Sequence, residues 1–249
     1  NIVMKKILLL FALIFCFKVH AQGKSKATEI WSPLPIEVKT NKKISLPSED
    51  AIVLFDGKDF SNWEQQYSNK SPQWIINDDE SMMVVNGTGG IKTKESYGSV
   101  QLHIEWKTSE EIGDNDGQRR SNSGVFLQGR YEIQILDSYN NPTYVNGQAG
   151  SVYKQYIPLV NASKPPGEWQ TYDIIFNAPV FKNNDLVKPG YFTVFHNGLL
   201  IHNKVKILGT TTNIGQPKYE AHEDAPLVLQ DHCCTPLSFR NIWLRKLKN

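Results

Sequence analysis

Val100-Gln101-Leu102-His103-Ile104-Glu105-Trp106-Lys107 alternates apolar and polar side chains without a fault. A period of two puts Val, Leu, Ile and Trp on one face and Gln, His, Glu and Lys on the other, the pattern of a strand with one face buried and the other polar. Working outward, 131–136, 169–176, 191–195, 199–202 and 239–247 are further short runs rich in β-branched and aromatic residues. In His196-Asn197-Gly198-Leu199 an Asn-Gly pair separates two such runs. Both turn residues of a tight hairpin must accept positive φ, so this pair predicts one. No long helical period interrupts the strands. The chain is expected to be all-β, a jelly-roll sandwich of two antiparallel sheets.

The ends of the sequence read differently. Met4 is followed by Lys5, Lys6, an apolar run from Ile7 to Phe17, and Val19-His20-Ala21. Basic, apolar and small residues in that order predict a signal peptide over 1–21, too short to span a membrane as a helix. A lipid anchor on Cys16 is the rival, but bulky Phe15 stands where a small residue is needed. Residues 22–50 are rich in Lys, Ser, Thr and Pro without a sustained period, and predict a polar tether or strap. The jelly roll is expected over 51–249.

Charge and cysteine content narrow the function classes. The chain carries 27 Lys and Arg against 25 Asp and Glu. Without Lys5, Lys6 and Lys18 the balance becomes 24 basic against 25 acidic side chains. No basic run remains to argue for nucleic acid or an anionic membrane. Removal of the leader leaves only Cys233 and Cys234, neighbours expected to be two inert thiols and not a disulfide framework. The reading is a secreted or periplasmic protein, with no membrane insertion after cleavage of its leader.

The most informative stretch for chemistry runs from Ser121 to Asp137. If 130–136 is a strand, Arg130, Glu132 and Gln134 share one face and Tyr131, Ile133 and Ile135 the other. The first trio predicts a wetted sheet face of the kind on which sugars lie in curved sandwiches. A solvated surface with a cross-strand ion pair is the plainer explanation of the same spacing.

Leu54-Phe55-Asp56-Gly57-Lys58-Asp59-Phe60-Ser61-Asn62-Trp63 is similar to the opening signature of the 3-keto-disaccharide hydrolase family. Further pieces follow in order: Asn122 to Leu127, Tyr131 to Asp137, Gly167 to Tyr172, His196-Asn197-Gly198, and Leu229-Gln230-Asp231-His232 with Phe239 to Trp243. Together they cover about residues 52–246. The resemblance implies a concanavalin-like jelly roll that cleaves glycosides already oxidised to a ketone at sugar C3. The chain departs from the pattern at Cys233-Cys234 and around Lys182 to Lys188, which looks like a local insertion.

Such a substrate sets its own requirements. The C3 ketone acidifies the hydrogen on C2, so a base can remove it and the C1 substituent leaves by elimination. Water then adds back. The reaction needs a base, a stabiliser of the enolate oxygen and an acid for the leaving oxygen. Glu132 is the candidate base or acid, and His232 its natural partner. Arg130, Gln134, Asn122, Asp137, Tyr153 and Gln230 are expected to bind the saccharide, with Glu105 on its own polar face a further candidate. A divalent metal is a possible enolate stabiliser, with Glu132, Asp137 and His232 as available ligands. Asp114-Asn115-Asp116-Gly117-Gln118 has oxygen ligands in a calcium-like order but lacks the rest of an EF-hand, and reads as a turn.

Two other functions fit parts of the sequence. Glu132 to Asp137 is similar to the catalytic strand of laminarinase-like retaining glycosidases, with Gln at the middle position and Asp at the last. A non-catalytic carbohydrate-binding module on the same fold would instead show an aromatic platform without an acid–base pair.

Overall fold

Eight strands make the larger of the two main antiparallel sheets among the described residues, and the alternating stretch lies at its centre. In the computed structural model, which describes residues 24–34, 36–37 and 47–248, that stretch is the strand Val100–Thr108. Trp169–Asn177 pairs along one side of it and Leu237–Lys246 along the other. Tyr191–His196 and Leu199–Lys206 extend the first side. Met82–Met83, Ile75–Ile76 and Ile52–Phe55 extend the second. The smaller sheet has five strands in the order Trp63–Gln65, Ile91–Tyr97, Ala225–Leu229, Ser123–Leu127 and Tyr131–Ile135. The leader expected over 1–21 lies outside the described residues.

Period two delivers the core. Leu102, Ile104 and Trp106 meet Tyr172, Ile174 and Phe176 on the inner face of the larger sheet. Val125, Tyr131, Ile133, Ile135 and Leu229 come from the smaller one, and all of these residues are fully buried. Each contributes about 1.5–3 kcal/mol on leaving water. Tyr172 also joins the layers directly, its hydroxyl donating to the Gln134 carbonyl at 2.8 Å. That bond ties the centre of the larger sheet to the back of the strand Tyr131–Ile135.

The turns follow their residues. Asn197 (φ 51°) and Gly198 (φ 81°) make the expected hairpin between Tyr191–His196 and Leu199–Lys206. The stretch around Lys182 to Lys188 forms a small hairpin of its own, Val180–Lys182 against Asp185–Lys188, turned by Asn183 and Asn184 at φ 51° and 68°.

The polar face of Val100–Thr108 is not the solvated one its residue types suggest. His103 and Glu105 point away from the core yet are 0% and 1% exposed. A bulge in Leu237–Lys246, at Asn241 with φ 45°, sets Arg240 opposite Glu105 and Trp243 opposite His103. Both therefore face outward. Trp243 stacks on His103 at 5.1 Å, and Arg240 and Asn241 bond Glu105 at 2.7 Å each. His103 Nδ1 lies 2.7 Å from Asp173 Oδ1. Neighbouring strands, invisible to the local period, cover this face.

Candidate active site

Tyr131–Ile135 turns Glu132 and Gln134 away from the core, where they pair across the sheet with Phe126 and Gly124. The outer edge of this strand is not open. Chain 150–153 runs along it, with Gln134 N–H donating to the Ser151 carbonyl and Tyr153 N–H to that of Glu132. Thr211 closes the same edge: its N–H donates to the Arg130 carbonyl and its hydroxyl accepts from Glu132 N–H. These attachments raise walls on a cavity of about 460 Å³, within the ~300–1,000 Å³ of small-molecule sites.

Glu132 forms the floor. It is 4% exposed, against an expectation of a wetted carboxylate. The walls bury it, and burial without an opposite charge pushes its carboxyl up to about 8. Space for that carboxyl comes from Gly124. A Cβ there would stand 2.5 Å from Glu132 Oε1 and 2.7 Å from Phe126 Cε2.

His232 reaches the same cavity from the end of Ala225–Leu229. Gln230 continues that strand beside Gly124, and Asp231 accepts from Gly89 N–H. Beyond His232, Cys233 forms a bridge to Asn122. His232 stands at the rim with one side exposed. Burial against the wall holds its imidazole below the usual value, outweighing the nearby Asp231 carboxylate. The cavity thus combines a carboxylic acid that stays protonated at neutral pH with an imidazole that stays neutral.

Cys233 and Cys234 are not free thiols. They form a vicinal disulfide, a correction to the sequence expectation. Cys234 takes φ 78°, a left-handed turn that brings both sulfurs to one side of the chain, and Asn86 bonds its carbonyl at 2.7 Å.

A polar wall faces Glu132. Tyr144 and Tyr153 share a hydroxyl bond of 2.8 Å, which uses one of their two hydrogens, and burial raises both phenols, so both stay protonated. Gln118, Asn122 and Gln134 form an amide network: Gln134 Nε2 to Gln118 Oε1 at 3.2 Å, Asn122 Nδ2 to the Gln118 carbonyl at 2.9 Å, and Gln118 Nε2 to the Gly147 carbonyl at 2.8 Å. Gln134 Oε1 is buried with no partner among the described residues.

Of the residues singled out from sequence, the cavity brings together Glu132, His232, Gln134, Asn122, Tyr153 and Gln230. Three stand elsewhere. Arg130 precedes the strand, and its guanidinium donates to the Gln128 carbonyl. Asp137 is buried in an ion pair with Arg120, whose Nε donates to it at 2.9 Å. Glu105 lies on the outer face of the other sheet. Asp137 therefore does not join Glu132 and His232 as a ligand, and no three His, Cys, Asp or Glu side chains among the described residues are placed to hold a metal. The Asp114–Gln118 stretch is a turn leading into the 3₁₀ segment Gly117–Arg119, fastened by Gly117 N–H to Asn141.

The sequence reading missed Gln118, Phe126, Tyr144, Thr211, Asn213 and Glu29, which also line the cavity. Phe126 alone had a signal, since it alternates with Gly124 on the face that pairs with Glu132. The others come from loops distant in sequence.

Known proteins share this fold. A crystal structure of a candidate glycosyl hydrolase from Parabacteroides distasonis is 45% identical, with a TM-score of 0.79 over 89% of this chain and 96% of that one. A second protein from the same organism, 20% identical, matches at a TM-score of 0.58 over 80% of this chain and 95% of its own, a likeness of fold. A 3-keto-disaccharide hydrolase from Bacteroides thetaiotaomicron is 26% identical over 188 residues, 62% of this chain; the match spans 63% of that relative's length. Residues 50–245 match the model of the 3-keto-alpha-glucoside-1,2-lyase-like domain. With that match over most of its length, the chain belongs to the 3-keto-alpha-glucoside-1,2-lyase-like, or 3-keto-disaccharide hydrolase, family of carbohydrate-active, glycosyl hydrolase-like proteins.

Proposed function

We propose that this protein is an exported enzyme that cleaves 3-keto-glycosides by elimination and hydration. The observation that carries the proposal is the pairing of a protonated Glu132 with a neutral His232 in one cavity. His232 takes the proton from C2 of the keto sugar. Negative charge develops on the C3 oxygen, where the hydroxyl hydrogen of the Tyr144–Tyr153 pair that is not spent in the bond between them is the available donor. Collapse of the enolate breaks the C1–O bond, and Glu132 protonates the departing oxygen. Glu132, now a carboxylate, accepts a proton as water adds to C1 of the enone, and His232 returns its proton to C2. Both groups end as they began.

The rival readings have less support. A retaining glycosidase needs two carboxyl groups about 5–5.5 Å apart across the bond. Asp137, the partner the sequence offered, is engaged by Arg120 outside the cavity. A binding module has no use for a buried carboxyl whose space is cleared by a glycine.

The test is incubation with a disaccharide and its 3-keto derivative side by side. Cleavage of the keto sugar alone is expected, with a transient enone absorbing in the ultraviolet. Cleavage of only the unoxidised sugar would overturn the proposal. Export is tested separately, by mass spectrometry of the mature N-terminus in the native host, expected near Gln22.

A further inference from the structure

The cavity is not built from the family domain alone. Glu29, on its wall, precedes the first matched residue, 50. The segment that carries it follows the 3₁₀ turn Lys24–Thr28 and is held against the turn Val145–Gly147. Asn146 does most of the holding. Its side chain is 0% exposed, accepts from Ile30 N–H at 3.1 Å and donates to the Thr28 carbonyl at 2.9 Å. Val145 N–H donates to the Ile30 carbonyl, and Trp31 meets the Tyr144 ring edge-on at 6.2 Å. Both halves of a buried amide are thus committed to residues 28 and 30, on either side of Glu29. Without them the amide would be buried and unpaired, a costly state. The strap is therefore a fixed wall, and its place is set at the residue that lines the site.

The charges of the lining are one-sided. Its acidic side chains are Glu29 and Glu132, of which burial keeps Glu132 protonated, so the negative charge is that of Glu29; it has neither Lys nor Arg. The nearby cation, Lys154, lies outside the lining with its ammonium on the Asn213 carbonyl and Oδ1, at 2.8 and 3.0 Å, and its charge also acts on Glu29 and offsets part of it. A sugar hydroxyl can donate to Glu29. A uronate or sulfate would meet its charge across a partly desolvated space, where repulsion is stronger than in water.

We propose that Glu29 is a specificity-determining residue, which accepts hydrogen bonds from hydroxyls of an uncharged glycoside and turns away anionic ones. This refines the function proposed above and rests on the same cavity being the saccharide site. It also assigns selectivity to a segment outside the family domain.

The test uses the full chain with Glu29→Gln and Glu29→Lys, and two matched disaccharides, one neutral and one with a uronic acid. Glu29 is only half-buried, so both variants should melt like the wild type. Kinetics on the 3-keto derivatives should show Glu29→Gln raising KM for the neutral substrate about tenfold, with kcat within about twofold. That is the pattern for loss of one charge-assisted hydrogen bond made equally in ground and transition states. Calorimetric binding of the unoxidised pair reads selectivity without chemistry. The wild type should favour the neutral sugar, and Glu29→Lys should shrink that preference at least tenfold. Equal preference in all three proteins, or no binding of either sugar, overturns the role of Glu29. Intact selectivity with no turnover of the keto sugars sinks the proposed reaction and leaves the role of Glu29 standing.

Discussion

Glu132→Gln separates the two consequences of burying a carboxyl, one for stability and one for catalysis. The ordinary carboxyl value of 4.5 rises to about 8 in the fold. At about 1.4 kcal/mol per pH unit, the folded state favours the protonated form by up to about 5 kcal/mol. The sign follows from the direction. The folded protein binds this proton more tightly than the unfolded chain, so the contribution is fully present below pH 4.5. It declines as pH rises and is gone above pH 8. Gln has the shape of the protonated acid but no proton to lose, so the variant lacks this decline. Urea unfolding of both proteins at pH 5, 7 and 9 measures the difference. The stability of the wild type should fall relative to the variant by several kcal/mol across that range, with the midpoints crossing over. Turnover of 3-keto substrate should drop at least ~10²-fold in the variant, the lower end for a lost acid–base group. The wild-type rate should decline above pH 8 as Glu132 loses its proton, and below pH 6.5 as His232 gains one. Parallel stability curves from pH 5 to 9 would refute the idea that the fold holds this carboxyl protonated.

Three other perturbations test separate parts of the structure. Gly124→Ala places a methyl group against Glu132 Oε1 and Phe126, so kcat should fall at least tenfold while the melting temperature drops only a few degrees; an unchanged kcat would mean the carboxyl position is not critical. Burial alone would lower the His103 imidazole, but Asp173 and then Glu105 more than offset it and raise its value. Its stabilisation is therefore present below pH 6.5 and lost as pH rises through the raised value, and His103→Gln should cost more at pH 5.5 than at pH 9, as read from denaturation midpoints. Reduction of Cys233–Cys234 opens no long loop, so the melting temperature should hold within a few degrees in dithiothreitol; a larger fall would show that the pair supports the fold.

The strands were legible because half-buried strands write their burial into adjacent residues. Val100–Thr108 and Tyr131–Ile135 appeared nearly at their true limits, and Asn197-Gly198 marked its hairpin. The same rule could not separate Glu105 from Glu132. Each sits at a polar position of an alternating strand, but one faces the cavity and the other is roofed by the bulged strand Leu237–Lys246. Which outer face is concave depends on sheet curvature and on neighbours more than a hundred residues away. Asp137 continued a plausible catalytic strand, but it is buried in an ion pair with Arg120 outside the cavity lining. Glu29, Gln118, Tyr144 and Asn213 were hidden for a related reason: they meet through loops, and loops carry no period.

The pairing of the larger sheet also sets a timetable. Leu237–Lys246, last in sequence of the described strands, lies inside the sheet between Val100–Thr108 and Ile52–Phe55, with Ile242 opposite Phe55 and Leu244 opposite Ile52. At roughly 5–20 residues per second, about 7–28 s separate the synthesis of Thr108 from that of Lys246. For most of that time Val100–Thr108 lacks a neighbour on one side, and Ile52–Phe55 has nothing to join. Contacts of such long sequence separation also form slowly once they are possible. A nascent chain of this protein therefore remains open, with unpaired strand edges, until Leu237–Lys246 appears. A chain that ends before Leu237 should be recovered as aggregate, not as a smaller folded sandwich.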